Sequence, residues 1–207
     1  MVTTKEWALS HGISVEDTPP AVEDYAEPCQ RSAQEIAARA VILQGIVAVA
    51  SDVDPEPVAE WLREQGVWDL VSPSEQAFLI DATLSEEKRR RLRWHQEAEW
   101  TLLWAIGKVE SLGLPTRGCA TRRIVEESIP ALGSDIEGFT ASAKLRPPGV
   151  LLAEDDRTYD LWCCVAASRR RDEPLPADLN YWVLYERRYV FEWLDGMQDW
   201  DDVTCDA

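Results

Sequence analysis

Helix-start punctuation constrains this chain more than any other feature. Asp54-Pro55, Ser72-Pro73-Ser74-Glu75 and Ser85-Glu86-Glu87 follow one another closely. Each sets a side-chain oxygen where it can accept from free N–H groups, followed by residues suited to a first helical turn. Ser72 with Glu75 has the form of a capping box, in which each side chain satisfies the other residue's N–H. A chain so punctuated is expected to be all-α. The expected architecture is a single-domain irregular helical bundle.

Apolar spacing fills in the helices between these signals. Ile36, Ala40, Leu43 and Val47 predict a helix over about 31–50, with Glu35 and Arg39 as an i,i+4 pair. Asp54 opens a helix that runs to Gln65 and stops at Gly66, with Val58, Trp61 and Leu62 on its inner face. Ser72 opens another, carrying Phe78 and Leu79. Ser85 opens the longest one, expected to reach about Leu112 before Gly113 and Pro115. Its apolar positions Leu92, Leu102, Leu103, Ile106 and Val109 mark it as the central helix. Further helices are expected over about 121–132, 135–144, 151–170 and 181–194. In the last, Tyr185, Tyr189 and Trp193 recur every four residues, while Val183-Leu184-Tyr185 leaves a minor short strand open.

Residues 1–30 read as a partly irregular lead-in, with a turn at Ser10-His11-Gly12 and a break at Pro19-Pro20. Residues 31–207 read as a single helical domain, which the length of 207 residues also suggests. A chain of this size buries about 70% of the surface its unfolded form exposes. Ten tryptophans supply bulky anchors, each with an N–H that needs a partner.

Charge narrows the function classes. With 21 basic against 38 acidic residues, the formal net charge is −17. Such a surface repels nucleic-acid phosphates and anionic lipid, so neither nucleic acid nor membrane is expected as a partner. It favours association with a basic protein, although acidic surfaces also serve solubility alone. The five cysteines, Cys29, Cys119, Cys163, Cys164 and Cys205, form no disulfide framework and no C-x-x-C pair. That fits a reducing, cytoplasmic location. No secretory signal follows Met1, and the most apolar run, 40–50, is short for a bilayer.

An ordered set of motifs carries a resemblance. It comprises Arg31-Ser32-x-x-Glu35-Ile36-Ala37-x-Arg39-Ala40, Trp61-Leu62, Trp68 with Ser72-Pro73-x-Glu75, and Phe78-Leu79. It continues with Trp94-x-x-Glu97, Leu102-Leu103-Trp104-Ala105-Ile106-Gly107, Tyr185-Glu186-Arg187-Arg188 with Trp193, and Trp200-Asp201-Asp202-Val203. From about Arg31 onward the chain resembles the bacterial family catalogued as domain of unknown function 4272. The resemblance implies a mostly helical single domain and carries no activity with it. Cys163-Cys164 after Trp162 departs from the family's more polar stretch.

Motifs for catalysis are absent: no G-x-G-x-x-G, Walker loop, G-x-S-x-G or H-E-x-x-H. With only His11 and His95, the spacing offers no closed zinc set, and neither metal nor cofactor is expected. His95 and Glu99 share a helix face, as metal ligands, an acid–base pair, or an ordinary surface pair. The acidic tail 195–202 lacks the alternate-position spacing of a calcium loop. The most informative set is Glu186-Arg187-Arg188 with Glu97, Trp94 and Arg31. Charges inside an apolar helix must be paired or exposed. These residues either close ion pairs that dock the helix or line a pocket for an anionic group.

Two functions compete, beside the reading of a purely structural helical domain with neither patch nor pocket. One is a protein–protein interaction module, immunity- or antitoxin-like in one version, recognisable by an exposed apolar patch rimmed with carboxylates. The alternative is an enzyme or small-anion-binding protein with a Glu/Arg pocket near the central helix, recognisable by a cavity where those groups converge.

Overall fold

The structure is a computed structural model and describes residues 4–13, 29–81, 85–120 and 124–205. Among these residues the chain is helix and loop, with no strand. The helices are α1 Thr4–Ser10, α2 Ala33–Ala50, α3 Pro55–Glu64, α4 Pro73–Ile80, α5 Glu86–Arg93, α6 His95–Ala105, α7 Glu137–Ala141, α8 Pro148–Arg170 and α9 Tyr181–Leu194.

The start signals act as their chemistry dictates. Asp54 Oδ1 accepts from the Glu56 N–H at 3.2 Å. Ser72 and Glu75 close the capping box in both directions, at 3.4 and 3.0 Å. Ser85 accepts from the Lys88 N–H at 3.3 Å. A second box at Ser32 and Glu35 opens α2, so Glu35 is occupied by its own cap and does not pair with Arg39.

The expected central helix over 85–112 is divided and shortened. At Trp94 the hydrogen bonding tightens: Trp94 N–H donates to Arg91 O and Glu97 N–H to Trp94 O. These i→i−3 bonds separate α5 from α6. The second boundary lies at Gly107, whose φ is +71°. Gly107 N–H donates to Trp104 O and Lys108 N–H to Leu103 O, a Schellman ending six residues before the Gly113 to which the apolar pattern runs. The apolar residues Val109 and Leu112 are buried from loop rather than helix.

The central position belongs to α2. Every residue from Ile36 to Val47 is buried, against α6 above all and also α3, α4, α5 and α7. This helix spans 18 residues at a mean hydropathy of 1.4, long and apolar enough to cross a bilayer, yet 78% of it is buried inside the protein. That is longer than the apolar run 40–50 suggested, and its burial is that of a core helix. Gly45 permits the close approach of α3, since a Cβ there would lie 2.9 Å from Val58 Cγ1.

A second, smaller core joins α1, α8 and the first half of α9 through Ala8, Ile13, Leu161, Trp162, Val165 and Leu184. The second half of α9 adds Val190, Phe191, Trp193 and Leu194 to the main core. Helix α9 thus lies between the two clusters. The short strand left open at Val183-Leu184-Tyr185 is helix: Val183, Leu184, Arg187, Val190, Phe191 and Leu194 bury at spacings of three and four. Within the lead-in, α1 is about two turns of helix ending in a turn at His11-Gly12, while Pro19-Pro20 lies outside the described residues. Of the helix expected over 121–132, the described part is a single wide π-type turn, Ile124–Ser128.

Candidate functional site

Three charged constellations are buried between helices, two where α9 meets α5 and α6 and one between α2 and α4. In the first, Glu97 on α6 faces Arg187 on α9, at 1% and 3% exposure. Arg187 Nε donates to Glu97 Oε1 at 2.9 Å, Nη1 to Gly113 O at 2.9 Å and Nη2 to Leu112 O at 2.8 Å. The other carboxylate oxygen accepts from the Cys119 N–H at 2.8 Å. The pair therefore ties the 112–119 loop to both helices and leaves neither charge unmet.

The second constellation surrounds Glu186, which is wholly buried. Its Oε1 accepts from Arg91, and its Oε2 accepts from His95 Nδ1 at 2.9 Å. Burial raises the carboxyl's pKa, but the His95 and Arg91 contacts outweigh it and hold Glu186 below its ordinary range. Arg91 in turn lies 4.6 Å over the Trp182 ring and 4.4 Å over Tyr185. His95 therefore belongs with Glu186, not with Glu99 as their helix spacing suggested. Glu99 is 2% exposed, its Oε1 has no hydrogen-bond partner, and burial raises its pKa well above the ordinary value. The surface-pair reading of His95 and Glu99 fails on that burial.

The third joins Arg39 of α2 to Glu75 of α4, both nearly inaccessible. Glu75 serves the α4 cap and the ion pair through the same Oε2. The Arg39 guanidinium lies 4.5 Å over the Trp200 ring. Its Nε and Glu75 Oε1 have no hydrogen-bond partner.

Beside this third pair a cavity of about 550 Å³ opens between α2, α4 and the C-terminal segment. Ile42, Val71, Pro73 and the edges of Trp193 and Trp200 form its apolar wall. Arg31 closes one side, donating from Nε to Trp193 O at 3.2 Å and from Nη2 to Gln198 O at 2.7 Å. Asp201 caps α4 from outside, accepting from Ser74 N–H and Oγ at 2.8 Å each. Burial pushes Asp201 up, but its bonds to Ser72 and Ser74 prevail and hold it low. At the rim, Asp69, Asp199 and Asp202 are exposed and have no ion-pair or hydrogen-bond partner for their side chains among the described residues.

A smaller depression of about 230 Å³ lies at the α5–α6 junction, lined by Arg90, Arg93, Trp94, Gln96, Glu97, Gly118 and Cys119. It and the larger cavity sit toward opposite ends of α2, since Arg93 donates to Ala50 O while Arg31 and Arg39 flank the first turns.

The residues singled out from sequence thus fall in four places. Glu97 and Arg187 meet directly. Glu186, one position away, turns to a different partner. Trp94 lines the smaller depression and Arg31 the larger cavity. Sequence reasoning passed over Arg39 as a site residue, although a lone arginine inside the apolar run of α2 was its signal. No three His, Cys, Asp or Glu side chains among the described residues gather as metal ligands, and the five cysteines are free thiols.

These features define an all-α protein whose charged groups are largely turned inward as closed pairs, with two open concavities flanking the core helix. The chain belongs to the family described as domain of unknown function (DUF4272), whose model matches residues 3–203. The match takes in α1 as well as the region from Arg31 that carried the resemblance. No curated protein matches the chain, and no solved structure does.

Proposed function

We propose that this chain is a cytosolic protein-binding module that receives a basic side chain of a protein partner in the cavity between α2, α4 and the C-terminal segment. The observation that carries this reading is the cavity's rim. Asp69, Asp199 and Asp202 stand exposed around an apolar wall, and the two arginines that share the cavity bond elsewhere, Arg31 to Trp193 O and Gln198 O and Arg39 to Leu70 O and Glu75. A lysine or arginine offers the complement, an apolar stem for the wall and a charge for the rim. The net charge of −17 favours the approach of a basic partner over long range. An immunity- or antitoxin-type pairing is one form such a function takes. Free thiols at all five cysteines fit a reducing compartment.

The tryptophans support this less than their number suggested. Trp61, Trp100, Trp104, Trp162, Trp193 and Trp200 are core residues, and Trp182 is 37% exposed. The acidic rim rather than an aromatic patch carries the reading. We read Glu97, Glu186 and Arg187 as scaffold, because their hydrogen-bonding capacity is spent within the chain, Glu97 and Arg187 on each other and the 112–119 loop and Glu186 on Arg91 and His95.

The test is capture of partners from the native host's lysate by the tagged chain, at low and at high salt. The wild type is compared with the Asp69→Asn/Asp199→Asn/Asp202→Asn variant. A stoichiometric basic protein that is released by salt and not retained by the variant supports the reading. A partner retained equally by the variant places binding elsewhere and removes the cavity from it.

A further inference from the structure

We propose that the depression between α5, α6 and the 117–119 loop binds a small free oxyanion, phosphate- or carboxylate-bearing, attached to one flat ring. This site is separate from the acidic cavity and does not depend on it.

The chain's charge is distributed against expectation here. In a protein of net charge −17, Lys88, Arg89, Arg90, Arg91 and Arg93 crowd into one helix. Three of these are committed. Arg89 donates to Val49 O, Arg93 to Ala50 O and Glu86, and Arg91 to Glu186. Arg89 and Arg93 thereby bond to carbonyls at the C-terminus of α2, where a cation also complements the helix dipole. Arg90 has no hydrogen bond or ion pair among the described residues, and it is exposed at the edge of the depression. A guanidinium held on a helix with its fork open is the side chain best shaped for a carboxylate or phosphate.

The floor of the depression does not repel an anion. Glu97 is neutralised by Arg187 at 2.8 Å. Burial raises the pKa of Glu99, which favours its neutral form. Burial likewise drives the Cys119 thiol far above its ordinary value, so it stays protonated there. Glu86 is taken by its pair with Arg93.

The flat ring is read from Trp94 and Gly118. Trp94 stacks on Trp182 at 6.3 Å between centroids and 24° between planes, which fixes its indole. Gly118 adjoins the ring, and a Cβ there would lie 3.6 Å from Trp94 Cζ3. The missing side chain leaves that edge of the indole bare to the depression. At about 230 Å³ the space is smaller than the pockets that hold drug-sized ligands. It suits an oxyanion with one ring and no more.

The experiment is isothermal titration of the full chain with phenyl phosphate, benzoate, inorganic phosphate and benzamidine. Three proteins are compared: wild type, Arg90→Glu and Gly118→Leu. Arg90 is exposed and unbonded, and position 118 has ordinary backbone and contact distance, so both variants are expected to melt with the wild type. Phenyl phosphate and benzoate should bind the wild type, each about tenfold or more weaker in Arg90→Glu and undetectably in Gly118→Leu. Benzamidine, the same ring with a cation, should not bind. Failure of both aryl anions to bind the wild type overturns the proposal. So does wild-type affinity in both variants, which puts the anion elsewhere. Inorganic phosphate binding as tightly as phenyl phosphate overturns the ring's part in the site.

Discussion

The centre of α9 and the first turns of α2 contain the same residue types and use them oppositely. On α9, Glu186 and Arg187 are sealed: Arg187 donates from all three nitrogens, and both carboxylates they meet accept through both oxygens. Around α2, Arg31 and Arg39 also bond inward, but three aspartates at the rim are left facing water across a cavity. A charge whose partners all belong to its own chain has been used to fix geometry. A charge beside a concave apolar wall, with no partner, keeps its interaction energy for another molecule. The comparison separates scaffold from site without reference to any catalytic motif.

Removing one member of the sealed pair should give the largest effect. Arg187→Ala leaves Glu97 buried without its counterion and frees the carbonyls of Leu112 and Gly113. Loss of one partner of a buried pair costs about 3–5 kcal/mol, read as a shift in the denaturant midpoint. The paired replacement Glu97→Leu/Arg187→Met should recover the part of that loss due to the stranded charge, but not the part due to the Leu112 and Gly113 carbonyls and the Cys119 N–H, which stay without these partners. A loss under about 1 kcal/mol for Arg187→Ala, the level of an exposed pair, would show that the two regions are not different in kind.

Acidity distinguishes two buried glutamates next. Glu186 has a folded-state pKa below its ordinary one. Its contribution is therefore present above the unfolded value of about 4.3 and is lost as pH falls through the folded value. Glu99 has a raised pKa. Its contribution is present in full below the unfolded value and is lost as pH rises toward and through the folded one. Glu186→Gln should flatten the acid limb of the stability profile and lower its plateau. Glu99→Gln should flatten the alkaline side and leave the acid limb intact. Thermal melts across pH read both, and parallel profiles for the two variants would contradict the assignment.

How much of this could be read from residues alone follows from the range of each interaction. The caps at Asp54, Ser72 and Ser85 were legible because donor and acceptor lie within three residues. The end of α6 was missed at Gly107 although glycine is itself the signal, because the apolar spacing runs on through Val109 and Leu112. Arg39 was assigned to Glu35 one turn away, yet the Ser32 cap had already taken that carboxylate. Its true partner, Glu75, is 36 positions distant. Glu186 and Arg187 were grouped with Glu97 as one set. Adjacent helix residues point about 100° apart, so the two reach different neighbours. Contact across helices decides the site, and it leaves no local trace in the sequence.

The smallest effect on stability is expected at the cavity rim, and it is the most discriminating. Asp69, Asp199 and Asp202 are exposed and support no other group among the described residues. Changing all three to asparagine should move stability by no more than about 0.5 kcal/mol per site, upward if their mutual repulsion is felt. Asp201→Ala, between two of them, should differ, because it removes the acceptor of the Ser74 N–H at the start of α4. A capping loss of about 1 kcal/mol is expected there. If the rim variant melts like the wild type while Asp201→Ala does not, the acidic edge contains two kinds of carboxylate within four residues. Those that hold the fold are identified by melting, and those that do not are left free for a partner. Equal losses at all four positions would instead make the whole rim part of the scaffold, and the distinction between α9 and α2 would disappear.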